Sequence, residues 1–140
     1  MDLEIRNKWV HMHMKDYLLD CIEDFPEEIP SAAKTLATKS LMRECKESDS
    51  IDRYKSEIFH SVVKKLLHVA KRSRLDLQIS LGFICTRVRS PNKGDWKKLK
   101  RILQYIYGTI DLERILLLDS FTNMNKFIDA FHACHDNKRG

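Results

Sequence analysis

The stretch DWKKLKRILQYIYGT, Asp95–Thr109, separates two classes of side chain at helical spacing. At 100° per residue, its apolar side chains fall on one side of a helix and its cationic and amide side chains on the other. The apolar side is Trp96, Leu99, Ile102, Leu103, Ile106 and Tyr107; the basic side is Lys97, Lys98, Lys100, Arg101 and Gln104. The pattern predicts a core-facing helix capped by Asp95 and ended by Gly108 in the left-handed conformation.

The basic side of this helix lacks acidic neighbours at the spacing that forms local ion pairs. No Asp or Glu lies four positions from these cations, so salt bridges along the helix do not neutralise them. We therefore expect Lys97, Lys100 and Arg101 to face a phosphate backbone, and their replacement by Gln to leave the fold intact. A basic face that is merely solvated is the alternative, and it stays open.

Two further helices precede this one in the sequence. Residues from Arg53 to about Arg72 carry a wide apolar stripe, and Asp52 is a suitable cap. Asp76 could cap the next helix, which is apolar on nearly all sides up to Val88. Together with Asp95–Gly108, these segments predict a three-helix unit over residues 51–112.

The two ends of the chain predict short strands. Residues 3–14 alternate apolar and polar side chains around a turn at Asn7 and Lys8, and a short helix then runs to Pro26. Residues 26–50 show no periodicity and are predicted to connect the first unit, residues 1–50, to the helices. In residues 113–140, RILLLDS and KFIDAFHAC read as two strands. The predicted fold class is α+β, mostly α.

The charge distribution favours a polyanionic partner. The 140 residues carry 25 Lys and Arg against 20 Asp and Glu, a formal charge of +5. Acidic residues crowd the first third, whereas Lys64–Arg101 is strongly basic. The sequence has no bilayer-length apolar run, no secretory leader and four widely spaced cysteines. We expect an intracellular protein of a reducing compartment, cytoplasm or nucleus, with no membrane partner.

The segment Tyr54–Thr109 resembles the region that follows the polymerase palm in Ty1/copia-type retrotransposon Pol polyproteins. The resemblance rests on four ordered pieces, KKLLHVAKRSRLD, LQISLGFICTRV, SPNKGDW and KRILQYIYGT. The family has an Arg-Pro-Asp tripeptide and a closing Gly-Thr, which correspond to Arg74-Leu75-Asp76 and Gly108-Thr109. Leu75 in place of the proline removes a fixed φ angle from the turn.

The resemblance extends to both ends of the chain. KWVHMHMKDYLLDCIEDFP is similar to the family's entry into the thumb, and KFIDAFHACHDNKRG to the first strand of its ribonuclease H domain. It implies a palm-to-thumb entry segment (1–50), a thumb or connection unit (51–112) and a truncated ribonuclease H start (113–140). The implied partners are an RNA–DNA or DNA duplex and the remainder of the Pol polyprotein.

The resemblance also implies site residues. The cationic and aromatic residues expected to contact the duplex are Lys64, Lys71, Arg72, Arg74, Lys97, Lys100, Arg101 and Tyr105. Asp129 corresponds to the first metal-binding carboxylate of the ribonuclease H domain. Mg²⁺ is implied for the parent enzyme, but this segment has neither an Asp-Asp pair nor a full carboxylate set, so we expect it to need no cofactor and to be inactive alone.

Two other interpretations stay open. The chain could be a stand-alone helical protein-interaction module or an inactive transposon remnant; salt-dependent duplex binding would argue against both. His11 with His13, and the group His132, Cys134 and His135, lack the spacing of standard zinc motifs. Solvent-facing or hydrogen-bonded histidines are the favoured interpretation.

Overall fold

The computed structural model describes residues 1–36, 41–43 and 49–117. In this part of the chain, four helices accompany a three-stranded antiparallel sheet, so the predicted α+β class is confirmed. The elements are β1 (Asp2–Arg6), β2 (Trp9–His13), α1 (Lys15–Glu23), α2 (Arg53–Ala70), a 3₁₀ turn (Leu75–Leu77), α3 (Gln78–Cys85), α4 (Lys93–Gly108) and β3 (Arg114–Leu117). The predicted strand in KFIDAFHAC lies outside the described residues.

The N-terminal hairpin closes through the predicted two-residue turn. Asn7 and Lys8 have φ angles of 46° and 69°, the left-handed pair that a type I′ turn requires and that matches the right-handed twist of the strands. Arg6 pairs with Trp9 across the turn. On its other edge, β2 pairs antiparallel with β3, with Trp9 opposite Leu117. The central strand of the sheet is therefore β2.

The helices enclose one hydrophobic core. Helix α1 contributes Leu18 and Cys21, and its N-cap residue Met14 adds a third side chain, to the same buried cluster as the apolar faces of α2, α3 and α4. The core thus extends across the boundary predicted near residue 50, and the sheet joins residues of the predicted first and third units. The three-part domain division itself stays a prediction.

Helix α4 begins earlier than the sequence pattern indicated. Asn92 is its N-cap: the Asn92 side chain accepts a hydrogen bond from the Asp95 amide at 2.9 Å, and the Asp95 carboxylate accepts one from the Asn92 amide at 3.3 Å. This reciprocal pair is a capping box. The prediction that Asp95 is the cap was wrong, because its carboxylate is buried inside the first turn, 3.2 Å from Arg87 Nε.

The other two predicted caps have different outcomes. Asp52 caps α2 as predicted, since its carboxylate accepts from the Lys55 amide at 2.8 Å. Asp76 does not cap α3. That helix begins at Gln78 without a side-chain cap, directly after the 3₁₀ turn. The Asp76 carboxylate instead accepts hydrogen bonds from the guanidinium of Arg74.

Gly108 has a different role from the predicted one. It is the last residue of α4, and no glycine of the described segments has a positive φ. A Cβ at position 108 would lie 2.7 Å from the Cβ of Ala32. The connecting segment reaches α4 here, where the Ala33 amide donates to the Gln104 carbonyl at 3.1 Å. Glycine is thus required by close packing and not by backbone conformation.

Replacing Gly108 with Ala is expected to destabilise the protein by about 1–3 kcal/mol, because Ala32 is a backbone-fixed neighbour that cannot rotate away. Gly82→Ala is the matched control, since its Cβ meets nothing within 4 Å. The control should be neutral or stabilising by up to about 1 kcal/mol through helix propensity. Urea unfolding of both variants measures the difference, and equal stabilities would contradict the packing role of Gly108.

Candidate nucleic-acid interface

A basic concavity lies between the outer faces of α1 and α2. Its volume is about 620 Å³, and it brings together three of the predicted contact residues, Lys64, Lys71 and Arg72. All three side chains are exposed. Lys64 lies on the side of α2 opposite its core-facing stripe, so the buried face of the helix fixes its direction. Lys71 and Arg72 directly follow Ala70, the last residue of α2.

The rest of the concavity lining was not predicted. Lys65 adds a fourth cation, while Tyr17 and His68 form its aromatic wall with ring centroids 5.6 Å apart. Lys65 pairs with Asp24. Arg72 donates to the His68 carbonyl at 3.1 Å. Lys64, Lys71 and Arg72 contact no carboxylate of the described residues, so three positive charges face the opening uncompensated there.

The basic side of α4 is largely occupied by contacts within the chain. Lys100 donates to the Glu27 carboxylate at 2.7 Å, and Arg101 donates to the Thr35 hydroxyl at 3.0 Å. Lys98 donates to the Arg43 carbonyl and lies 4.8 Å from the centroid of the Phe83 ring. Of the cations on this side, only the Lys97 side chain makes no hydrogen bond or ion pair with the described residues, and its contact with an external anion stays a prediction.

Glu27 is the acidic partner that local spacing could not reveal. Its carboxylate accepts from Lys100 and, at 2.8 Å, from the indole N–H of Trp96. These hydrogen bonds, that from Lys100 first, lower the pKa of Glu27. The carboxylate thus stays ionised and holds the connecting segment against α4.

Arg74 is not part of an external basic surface. Its side chain is fully buried, and the guanidinium donates to both carboxylate oxygens of Asp76, at 3.0 and 2.8 Å. It also donates to the carbonyl and hydroxyl oxygens of Thr109, at 2.9 and 2.8 Å. The prediction that Arg74 contacts a duplex is therefore corrected: its charge is used inside the protein to join the α2–α3 turn to the end of α4.

Tyr105 belongs to the same internal cluster. The Arg74 guanidinium lies 5.7 Å from the centroid of its ring, and its side chain is partly buried. Burial raises the pKa of Tyr105, and a hydrogen bond with Asp76 adds to that effect. Tyr107, predicted on the apolar side, is instead 50% exposed. Tyr105, expected to face solvent, is thus partly buried, and Tyr107, expected to pack in the core, is exposed.

Burial raises the pKa of Asp76, but the hydrogen bonds and positive charge of Arg74 outweigh it, and the net pKa lies below the ordinary value of 3.8. The ionised form of Asp76 is therefore favoured by folding. Such a group contributes stability above its unfolded pKa and loses that contribution as the pH falls through its folded pKa.

The candidate metal ligands named from the sequence fall into two groups. Asp129, His132, Cys134 and His135 lie outside the described residues. His11 contacts Glu113 at 2.8 Å, and His13 lies 3.6 Å from Asp2. Within residues 1–36, 41–43 and 49–117, no cluster of His, Cys, Asp and Glu could hold a metal ion. In the same residues, no helix combines the length and apolarity that crossing a bilayer requires.

The long-range partners of the basic residues were missed because no local pattern encodes them. Glu27 and Lys100 are 73 positions apart, and Tyr17 reaches His68 from a different helix. One signal was present: the acidic first third and the basic middle of the chain have opposite charge. Such complementarity favours pairing within the chain as well as a polyanionic partner.

One curated protein shows similarity to the chain. It is an uncharacterized mitochondrial protein of Arabidopsis thaliana, 30% identical over 82 residues. The match covers 58% of this chain and 34% of that protein, so the chain spans about a third of its relative's length. No protein-family model matches the chain, and no solved structure matches it.

The double substitution Lys100→Gln/Arg101→Gln is expected to loosen the connecting segment, contrary to the expectation from the sequence alone. Loss of the Glu27 and Thr35 contacts should raise the hydrogen-exchange rate of the Ala33 amide about twofold to fivefold, a range set by the small free energies of partly exposed polar pairs. Lys97→Gln is the control and should leave that rate unchanged. Equal rates in all three proteins would contradict the role of these contacts.

The stability of the protein should fall as the pH drops below 3.8, the ordinary pKa of Asp76, because protonation removes the acceptor of the buried Arg74 guanidinium. Asp76→Asn should be less stable at neutral pH and should lose part of this acid dependence. Urea unfolding across a pH series measures both effects. The same acid slope in Asp76→Asn as in the wild type would exclude Asp76 as a source of it.

Proposed function

We propose that the chain is a piece of a Ty1/copia-type reverse transcriptase, from its thumb or connection region, that holds the primer–template duplex through phosphate contacts. The remainder of the Pol polyprotein would supply the polymerase and ribonuclease H carboxylates with their Mg²⁺. Neither activity is expected of this segment alone.

The observation that carries the proposal is the concavity between α1 and α2. Lys64, Lys71 and Arg72 are exposed around one opening and contact no described carboxylate. Cations held in this way neutralise phosphates and release their counterions, which gives binding without sequence readout. Tyr17 and His68 offer ring surfaces in the same opening, a type of surface on which unpaired bases stack.

The buried Arg74 cluster supports the resemblance on which the family assignment rests. The pieces Arg74-Leu75-Asp76 and Gly108-Thr109 are far apart in sequence, yet the Arg74 guanidinium binds both Asp76 and Thr109. Motif residues of the resemblance therefore meet in one structural contact. This contact gives a physical reason for the two motif pieces to occur together in one sequence. A chance match of the motif would have no such reason.

The similarity to the Arabidopsis protein is consistent with a transposon-derived origin but carries no activity with it, since that protein is itself uncharacterized. An interaction module or an inactive remnant predicts no salt-dependent duplex binding, so a binding measurement separates them from the proposed function.

The test is fluorescence anisotropy of a labelled RNA–DNA hybrid with the full chain across a salt series. The variant Lys64→Gln/Lys71→Gln/Arg72→Gln should weaken binding and flatten the slope of log K against log salt by up to about 2.7, at about 0.9 per phosphate contact. The effect should be alike for unrelated sequences, because the contacts are to the backbone.

The matched control is Lys8→Gln/Lys34→Gln/Arg53→Gln, which removes the same charge from exposed positions outside the concavity. Circular dichroism verifies that both variants are folded. If the two triple variants bind alike, the concavity is not the binding surface; if the wild type shows no salt-dependent binding, the nucleic-acid function is excluded.

A further inference from the structure

A second cavity with chemistry not used by the proposed function surrounds Trp96 at the first turn of α4. Its volume is about 330 Å³, and the described residues that line it are four lysines, Trp96, Ile51 and one acidic residue, Glu27. The lysines are Lys55, Lys93, Lys97 and Lys100. None of these residues lines the concavity between α1 and α2, so the two surfaces are separate.

The Glu27 carboxylate occupies the position in which an anion is best held. Trp96 Nε1 donates to one oxygen at 2.8 Å, Lys100 Nζ donates to the other at 2.7 Å, and Lys55 Nζ lies 3.8 Å away. Phosphate oxygens accept hydrogen bonds from the same N–H donors, and an ammonium group binds either anion as a point charge. The donors that bind the Glu27 carboxylate could therefore bind a phosphate group in its place.

The indole donor of Trp96 is more firmly held than the acceptor. Trp96 is 5% exposed, and its ring stacks on Phe25 with centroids 4.7 Å apart, so the indole N–H has a fixed direction. Glu27 lies in the connecting segment beyond α1, and its side chain is 36% exposed. The carboxylate can rotate into solvent, while the indole stays in place.

We propose that this cavity is a phosphate-binding site in which Glu27 occupies the anion position until a phosphate group displaces it. The phosphate then accepts hydrogen bonds from Trp96 and Lys100, and Lys55 and Lys97 add positive charge. The inference rests on the proposed function only where a nucleic-acid backbone supplies the phosphate. A free phosphate compound would use the same donors.

The test uses inorganic pyrophosphate as the probe and the fluorescence of Trp96 as the signal. The chain has two tryptophans, and Trp9→Phe in every protein leaves Trp96 as the reporter. Glu27→Gln keeps the size of the side chain and an acceptor for the indole but removes the competing charge. Pyrophosphate should therefore bind about tenfold more tightly, a change within the range of one close charge–charge interaction in partial solvent.

Glu28→Gln is the matched control, because it makes the same change in net charge at the neighbouring, exposed position outside the cavity. Lys97→Gln is a second variant that does not depend on the Glu27 contacts, since Lys97 is exposed and contacts no carboxylate among residues the structure describes. It should weaken pyrophosphate binding about threefold or more, both alone and with Glu27→Gln.

Equal affinities in Glu27→Gln and Glu28→Gln, or no effect of Lys97→Gln, would overturn the proposal. Parallel titrations with the RNA–DNA hybrid identify the source: effects on both probes support a nucleic-acid backbone, and effects on pyrophosphate alone support a free phosphate compound. The variant Lys64→Gln/Lys71→Gln/Arg72→Gln should keep its pyrophosphate response, so failure of the proposed function is distinguished from failure of this site.

Discussion

The arrangement of the helices depends on the hydrogen bonds and the ion pair of the buried Arg74 guanidinium. A fully buried cation is unfavourable unless its donors are satisfied. Here Asp76 supplies the counter-charge, and Thr109 supplies two further oxygens beyond the end of α4. Arg74 thus binds a carbonyl at the end of a helix, where such groups lack partners along the helix. Removing the partner of a fully buried charge typically costs about 3–5 kcal/mol, and Arg74 is such a charge, although the Asp76 side chain is 30% exposed. The contact therefore holds the α2–α3 turn at the end of α4.

Several polar contacts attach the connecting segment to α4. Glu27, Thr35 and Arg43 each accept a hydrogen bond from a basic residue of α4, and Ala32 packs closely at Gly108. This arrangement pairs Glu27 of the acidic first third with Lys100 of α4, whereas Lys64, Lys71 and Arg72 contact no carboxylate of the described residues. The electrostatic surface is therefore set by pairing within the fold and not by the charge of each helix alone.

Most of the fold follows from local signals. Alternation predicted β1 and β2, Asn7 and Lys8 predicted the turn, and the apolar stripes predicted α1, α2 and α4, since burial of one face stabilises each element. The cap of α4 was misplaced because Asn and Asp both suit that position and only the fold shows which is buried. Of the candidate site, Lys64, Lys71 and Arg72 were predicted from the resemblance and from the basic charge of the middle of the chain. The burial of Arg74 and the pairing of Lys100 were not, because both depend on partners at least 35 positions away.

The pairing of Glu27 with Lys100 has a consequence for how such a sequence can change with time. Either residue alone can be replaced only by leaving the other charge without its partner, whereas an exchange of both signs, or loss of both charges, removes that penalty. Positions 27 and 100 are thus expected to covary among related chains, although 73 residues separate them. Lys64 and Lys71 contact no carboxylate of the described residues, so neither is under such a mutual constraint and each can vary independently of a partner.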